Sequence, residues 1–209
     1  MRTALCYGDS NTWGFDPATR KRYAIELRWT SVLARELGAG WNVVPEGLNG
    51  RTTTLDDPIV DGRNGASMLL PVLRSHMPLD LVVLMLGTND LKRRFAFAAF
   101  DVAEGAGRLV EMIRTSGCGV DGDAPTVLVA APAPILERPP FDEAFAGGRE
   151  KSLRIKEQFA RMGEEKGVPL LFVEDVARSS EIDGIHLQPE AHRAIGAALA
   201  RRIESLFAD

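Results

Sequence analysis

Apolar residues gather in five short runs, at 3–7, 41–45, 79–86, 126–131 and 170–173. Several are nearly continuous in Val, Leu and Ile, as strands are when a sheet is covered on both faces. Between them, apolar positions recur at helical spacing over 28–37, 67–76, 100–116, 150–166 and 189–207. Pro189 suits the first position of the last helix, where a missing N–H costs no hydrogen bond. Strand and helix alternate throughout, which predicts an α/β fold with a five-stranded parallel sheet between helices. No linker or repeat divides the chain, so residues 1–209 are expected to form one domain. The stretch at 131–149, "APAPILERPPFDEAFAGGR", is rich in Pro and Gly and too long for a simple turn. It is expected to be a lid or contact loop.

Parallel sheets of this kind bind ligands at the carboxyl ends of their strands, so whatever follows each strand should converge on one rim. The segments there read "GDSN" (8–11), "EGLNGRTT" (46–53), "GTND" (87–90), "PAP" (132–134) and "DGIH" (183–186). Together they supply what ester hydrolysis needs: a nucleophile, a base, an acid to hold the base, and donors for an oxyanion. Ser10 alone reads as a helix cap or turn residue. His186 alone reads as a core or surface histidine. Asp183, one turn before it, is placed to accept the Nδ1 proton and leave Nε2 free for Ser10. Gly50 can bring a bare N–H close, and the Asn89 amide donates without ionising; singly, they read as a turn glycine and an Asx-turn. Asp9 and Asp90 read as caps and loop braces, and His76 and His192 as structural.

Composition narrows the function. Hydrophobic content of 45% and charged content of 26% are those of a globular chain. The net charge of −4 and the lack of a large basic cluster argue against nucleic acid or an anionic membrane as partner. The densest basic run, "LKRR" at 91–94, reads as a solvated face. No stretch reaches the roughly 18 apolar residues of a membrane span. The N-terminal apolar part is too short for a signal peptide, so a cytoplasmic location is expected. Cys6 and Cys118 form neither a disulfide framework nor a zinc spacing. "GCGVDG" (117–122) follows a helix rather than a strand and reads as a loop. No G-x-S-x-G elbow is present.

Four blocks in order, "GDSN", "GLNG", "GTND" and "DGIHL", resemble the SGNH, or GDSL-type, hydrolase family. "GDSNTWG", "RW" (28–29), "EGLNGRTTTLDD", "LMLGTND" and "FAGG" are similar to its arylesterase and acyltransferase (perhydrolase) branch. The resemblance covers nearly the whole chain. It implies a three-layer α/β/α flavodoxin-like fold, Ser10 as nucleophile, His186 as base and Asp183 as its orienter. It also implies an oxyanion hole of the Ser10 and Gly50 N–H groups with the Asn89 side chain. The expected substrate is a small-acyl, acetyl-type ester, aryl esters included, with acyl transfer to alcohol or peroxide as a further activity. No cofactor or metal is implied, and homo-oligomers, octamers in known members, are. The chain departs from the family at Asn11, where Leu is usual, and at "GLNG" in place of "GLSA". Asn11, Trp13 and Asn49 are therefore expected near the substrate, with Phe15 and the 131–149 loop; for Trp13, Phe15 and the loop, core or subunit contact is the other reading. A carbohydrate or natural-product O-deacetylase with the same triad is the alternative enzyme. A flavodoxin-like ligand-binding module, or an inactive relative, is the alternative without catalysis.

Overall fold

The computed structural model describes residues 1–208. Five strands, β1 (Arg2–Gly8), β2 (Trp41–Gly47), β3 (Leu81–Met85), β4 (Thr126–Ala131) and β5 (Leu170–Phe172), form one sheet in the order β2-β1-β3-β4-β5. Every pair is parallel. The central strand β3 is buried along its whole length, whereas β2 and β5 at the edges are only half-buried.

Alternation along the strands sorts their side chains into two cores. Leu5, Tyr7, Val82, Leu84, Val127 and Val129 face one way. They pack against α3 (Gly65–His76), α4 (Ala99–Arg114) and α6 (Ile155–Lys166). Ala4, Cys6, Leu81, Val83, Leu128 and Ala130 face the other way, onto α2 (Trp29–Leu37) and α7 (Pro189–Leu206). This is the α/β/α sandwich expected from the continuous apolar runs. The two helices α2 and α7 approach closely because Gly196 has no side chain: a Cβ there would lie 2.6 Å from Val32 Cβ and 2.7 Å from the Trp29 carbonyl oxygen. Among the described residues, no helix is long and apolar enough to cross a membrane.

Two boundaries differ from the sequence pattern. The run at 79–86 yields a shorter strand, because Leu79 makes only an isolated bridge to Gly119. The helix expected over 150–166 is broken into α5 (Gly148–Ser152) and α6. Ser152 Oγ donates to the Arg149 carbonyl at 2.6 Å and accepts the Ile135 N–H at 3.0 Å. That hydroxyl ties the first part of the 131–149 loop, at Ile135, to α5, and the chain restarts its helix at Ile155.

Register brings the strand ends level: Gly8 stands beside Gly47 on one side and Met85 on the other. The segments after β1, β2 and β3 therefore leave the sheet together at one rim.

Candidate active site

β1 ends at Gly8 because no side chain fits there; a Cβ would lie 2.0 Å from Thr12 Oγ1. The chain turns into a single helical turn, α1 (Ser10–Trp13), capped by Asp9, whose Oδ1 accepts the Asn11 N–H at 2.9 Å. Asp9 and not Ser10 does the capping, which leaves the Ser10 hydroxyl for other partners. That hydroxyl meets His186 Nε2 at 3.0 Å, and His186 Nδ1 meets Asp183 Oδ2 at 2.6 Å.

Asp183 also accepts the N–H groups of Ile185 and His186 at 3.0 Å each through Oδ1. Burial alone would raise this carboxyl, but the His186 ring and those N–H groups outweigh it and hold the pKa below the usual carboxylate range. An ionised Asp183 can accept the Nδ1 proton, which would leave Nε2 as an acceptor facing the Ser10 hydroxyl. The imidazole is held from the sides as well: Phe15 stacks on it with centroids 4.0 Å apart, and Phe141 meets it edge-on at 5.6 Å.

The turn after β2 presents Asn49 and Gly50, the latter at φ +78°, closed by the Arg51 N–H donating to the Leu48 carbonyl at 3.1 Å. Among the described residues, the N–H groups of Ser10 and Gly50 have no hydrogen-bond partner. The turn after β3 presents Asn89, whose Nδ2 donates to the Arg51 carbonyl at 3.1 Å and to Asp9 Oδ2 at 3.4 Å. Behind it, Asp90 accepts the Thr53 N–H and hydroxyl, and Arg51 donates to the Gly8 carbonyl at 2.8 Å while lying over the Tyr7 ring. Burial pushes both Asp9 and Asp90 up to about 6.

A cavity of about 360 Å³ opens over this set. Its polar floor is Ser10, Asn49, Gly50, Asn89 and His186, and its apolar wall is Phe15, Phe141, Ala144, Phe145 and Ile185. The 131–149 loop thus supplies three wall residues. It also grips the acid–histidine turn, since the Leu136 N–H donates to the Gly184 carbonyl at 2.8 Å.

Two expected contacts are absent from the wall. Asn11 turns away from the cavity: its Nδ2 donates to the Ile185 carbonyl at 3.4 Å, and it borders a separate void of about 10 Å³ with Asp9, Met85 and Thr88. Trp13 stands behind Phe15 with centroids 6.5 Å apart, covered by the Arg22 guanidinium. The short helical turn sends successive side chains in different directions, so Ser10 and its neighbours cannot share one surface. The "LKRR" run is also not a plain solvated face. Leu91 is buried, and Lys92 and Arg94 line the cavity. Sequence reading missed Lys92 and Arg94, whereas Phe15 and the 131–149 loop, through Phe141, Ala144 and Phe145, line the cavity as expected.

The other histidines lie elsewhere. His76 meets Glu46 Oε1 at 2.9 Å, and His192 is fully buried beneath Trp29.

Residues 6–194 match the model of the GDSL-like lipase/acylhydrolase family. Among solved structures, the aryl esterase of M. smegmatis is 40% identical, over 99% of this chain and 100% of that one, with a TM-score of 0.94. A carbohydrate acetylesterase from Sinorhizobium meliloti is 41% identical over 99% and 100% of the two chains, also at 0.94. A carbohydrate acetylesterase family member from the same organism is 40% identical over 100% of both, at 0.95. No curated protein matches the chain.

Proposed function

The chain belongs to the GDSL-like lipase/acylhydrolase family and is a carboxylic ester hydrolase, and from that premise we propose that it cleaves small-acyl esters through a Ser10–His186–Asp183 triad. The observation that carries this reading is the continuous chain of contacts from Asp183 through His186 to Ser10, opening on a cavity edged by Gly50 and Asn89.

Ser10 Oγ attacks the ester carbonyl carbon as its proton passes to His186 Nε2. The carbonyl oxygen becomes an oxyanion, stabilised by the N–H groups of Ser10 and Gly50 and by Asn89 Nδ2. Collapse breaks the bond to the leaving oxygen, which takes the proton from His186 and departs as an alcohol or phenol. Water then attacks the acyl-serine, giving its proton to His186; the second collapse returns that proton to Ser10 Oγ and releases the carboxylic acid. An alcohol or peroxide in place of water gives a new ester or a peracid.

A cavity of about 360 Å³ is near the lower end for small-molecule sites, roughly 300–1,000 Å³, which favours acetyl-type acyl groups. Fluorophosphonate labelling with peptide mapping should modify Ser10. A p-nitrophenyl ester series should show rates falling as the acyl chain lengthens. Labelling at another serine, or none, would overturn the site; a preference for long chains would overturn the small-acyl assignment.

A carbohydrate O-deacetylase is the second reading, favoured by the two Sinorhizobium meliloti relatives. Hydrolysis of acetylated sugars without hydrolysis of phenyl acetate would select it. Homo-oligomers, implied by likeness to the arylesterase branch, form part of the same reading, and light scattering on the purified protein tests them.

A further inference from the structure

The Lys and Arg side chains on the cavity wall are its only full charges among the described residues, and both are cations. Lys92 and Arg94 line it together, and no carboxylate does among the described residues. Arg63 joins them beside the turn: a Cβ placed on Gly50 would lie 3.8 Å from Lys92 Nζ and 3.5 Å from Arg63 Cδ. In a chain of net charge −4 this concentration is local, not a sample of the whole surface.

The balancing charge is Asp57, and it is already engaged. Its Oδ2 accepts from Arg94 at 2.7 Å and its Oδ1 accepts the Ile59 N–H at 3.0 Å. Lys92 Nζ is left 3.9 Å from Asp57, beyond hydrogen-bond reach, with no other carboxylate within 4 Å among the described residues. Yet the Lys92 side chain is only 12% exposed. Burial, then the neighbouring Arg94 charge, pulls this ammonium below its ordinary pKa. The Lys92 stem is packed away while its ammonium reaches the cavity without a hydrogen-bonded carboxylate. What it lacks is an acceptor that enters the cavity.

Phe15, Phe141 and Phe145 line the same cavity. We propose that the cavity selects esters with an apolar or aromatic body and an anionic group, a carboxylate foremost, which Lys92 binds directly while Arg94 and Arg63 add to the positive field. The inference rests on the esterase reading above and names a substrate class for that same site.

The test uses matched esters on the intact protein. One pair places charge on the leaving group, 4-acetoxybenzoate against 4-acetoxybenzamide. The other places it on the acyl arm, the 4-nitrophenyl half-ester of glutaric acid against 4-nitrophenyl valerate. For each pair the ratio of kcat/KM, charged over neutral, is compared between wild type and Lys92→Met, so that intrinsic reactivity cancels. A charge-assisted hydrogen bond predicts that the ratio falls about 10- to 100-fold in Lys92→Met and is largely kept in Lys92→Arg. A fall in one pair alone identifies the arm that carries the charge. In the wild type itself, 4-hydroxybenzoate should inhibit more strongly than 4-hydroxybenzamide, a measurement that needs no variant to fold. Unchanged ratios in both pairs with equal inhibition by the two phenols overturn the inference while leaving the esterase reading intact. Failure to hydrolyse any of the four esters, with no label on Ser10, overturns both.

Discussion

Ser10 Oγ and His186 Nε2 lie 3.0 Å apart although 176 positions separate the two residues. The contact depends on two turns that are each locked by a carboxylate, Asp9 before the serine and Asp183 before the histidine. Ser10→Ala removes the hydroxyl and nothing that either turn needs. Its kcat on phenyl acetate should fall about 10⁶-fold, and that of Asp183→Asn about 10⁴-fold. Thermal melts should show Ser10→Ala folded, and wild-type turnover by that variant would place the chemistry elsewhere.

Asn89 offers its amide to the cavity while hydrogen-bonded to the Arg51 carbonyl and Asp9. The 3.1 Å bond to Arg51 fixes one N–H, and the long 3.4 Å contact to Asp9 is the one a developing oxyanion would displace to take the other. Asn89→Ala should lower kcat about 10²- to 10³-fold with a much smaller change in KM. Equal losses in binding and turnover would instead make the residue a substrate anchor.

The sandwich and its rim were legible because near-continuous apolar runs suit a sheet buried on both sides, and because the first three runs end in Gly and polar residues. The convergence of Ser10, Gly50, Asn89, Asp183 and His186 followed from that topology. What was not legible depends on contacts made only in three dimensions. The break between α5 and α6 is made by a hydroxyl that reaches Ile135, 17 positions away. Asn11 was visible as an unusual residue, but its direction is set by the Ile185 carbonyl, 174 positions distant. Lys92 and Arg94 looked like surface charge because a run of cations carries no sign of which members point inward. Short 3₁₀ turns at Asn89–Leu91 and Arg93–Phe95 decide that.

Gly184 lies between the acid and the histidine at φ +78°, and a Cβ there would meet the Leu136 carbonyl oxygen at 2.0 Å. Gly184→Ala must move either the 131–149 loop or the Asp183–His186 turn. Gly62 has a similar φ of +71° with nothing within 4 Å, so Gly62→Ala carries the backbone strain alone. That variant should lose about 1 kcal/mol and keep its activity. Gly184→Ala should lose several times as much, roughly 3 kcal/mol or more, along with most esterase activity. Urea melts and ester assays on the two variants read the difference, and equal behaviour would mean that the loop does not fix the catalytic turn.

Asn11 Oδ1 is buried without a hydrogen-bond partner, beside a void near the lower limit for one water. Leucine at this position has a similar volume and removes an unsatisfied carbonyl. It also removes a weak donor to Ile185. Asn11→Leu should therefore melt no lower than the wild type and keep KM for small aryl esters within about threefold, since the side chain does not line the cavity. A large rise in KM would return Asn11 to the substrate's surroundings.

His192 makes the last case, one of stability rather than catalysis. Its ring is fully buried, and its Nδ1 accepts the N–H of Trp29, the first residue of α2, at 3.3 Å. Protonation would bury a charge and abolish that acceptor. Burial first, and then the His186 and Arg28 charges, lower its pKa from 6.5 to about 4. Between those values the unfolded chain binds the proton and the folded one does not, so this contribution is complete above pH 6.5 and is lost as pH falls toward 4. The loss is on the order of 3 kcal/mol. Asp9 and Asp90 act with the opposite sign: their pKa values rise from 3.8 to about 6, so their contribution is lost as pH rises through that window. The wild-type curve alone would mix the three. The difference between wild type and His192→Gln isolates the histidine, because the glutamine oxygen can still accept from Trp29. Urea unfolding from pH 4 to 8 should show that difference rising with pH up to 6.5 and level beyond it. A difference that does not vary with pH would mean that His192 titrates alike in the folded and unfolded chain.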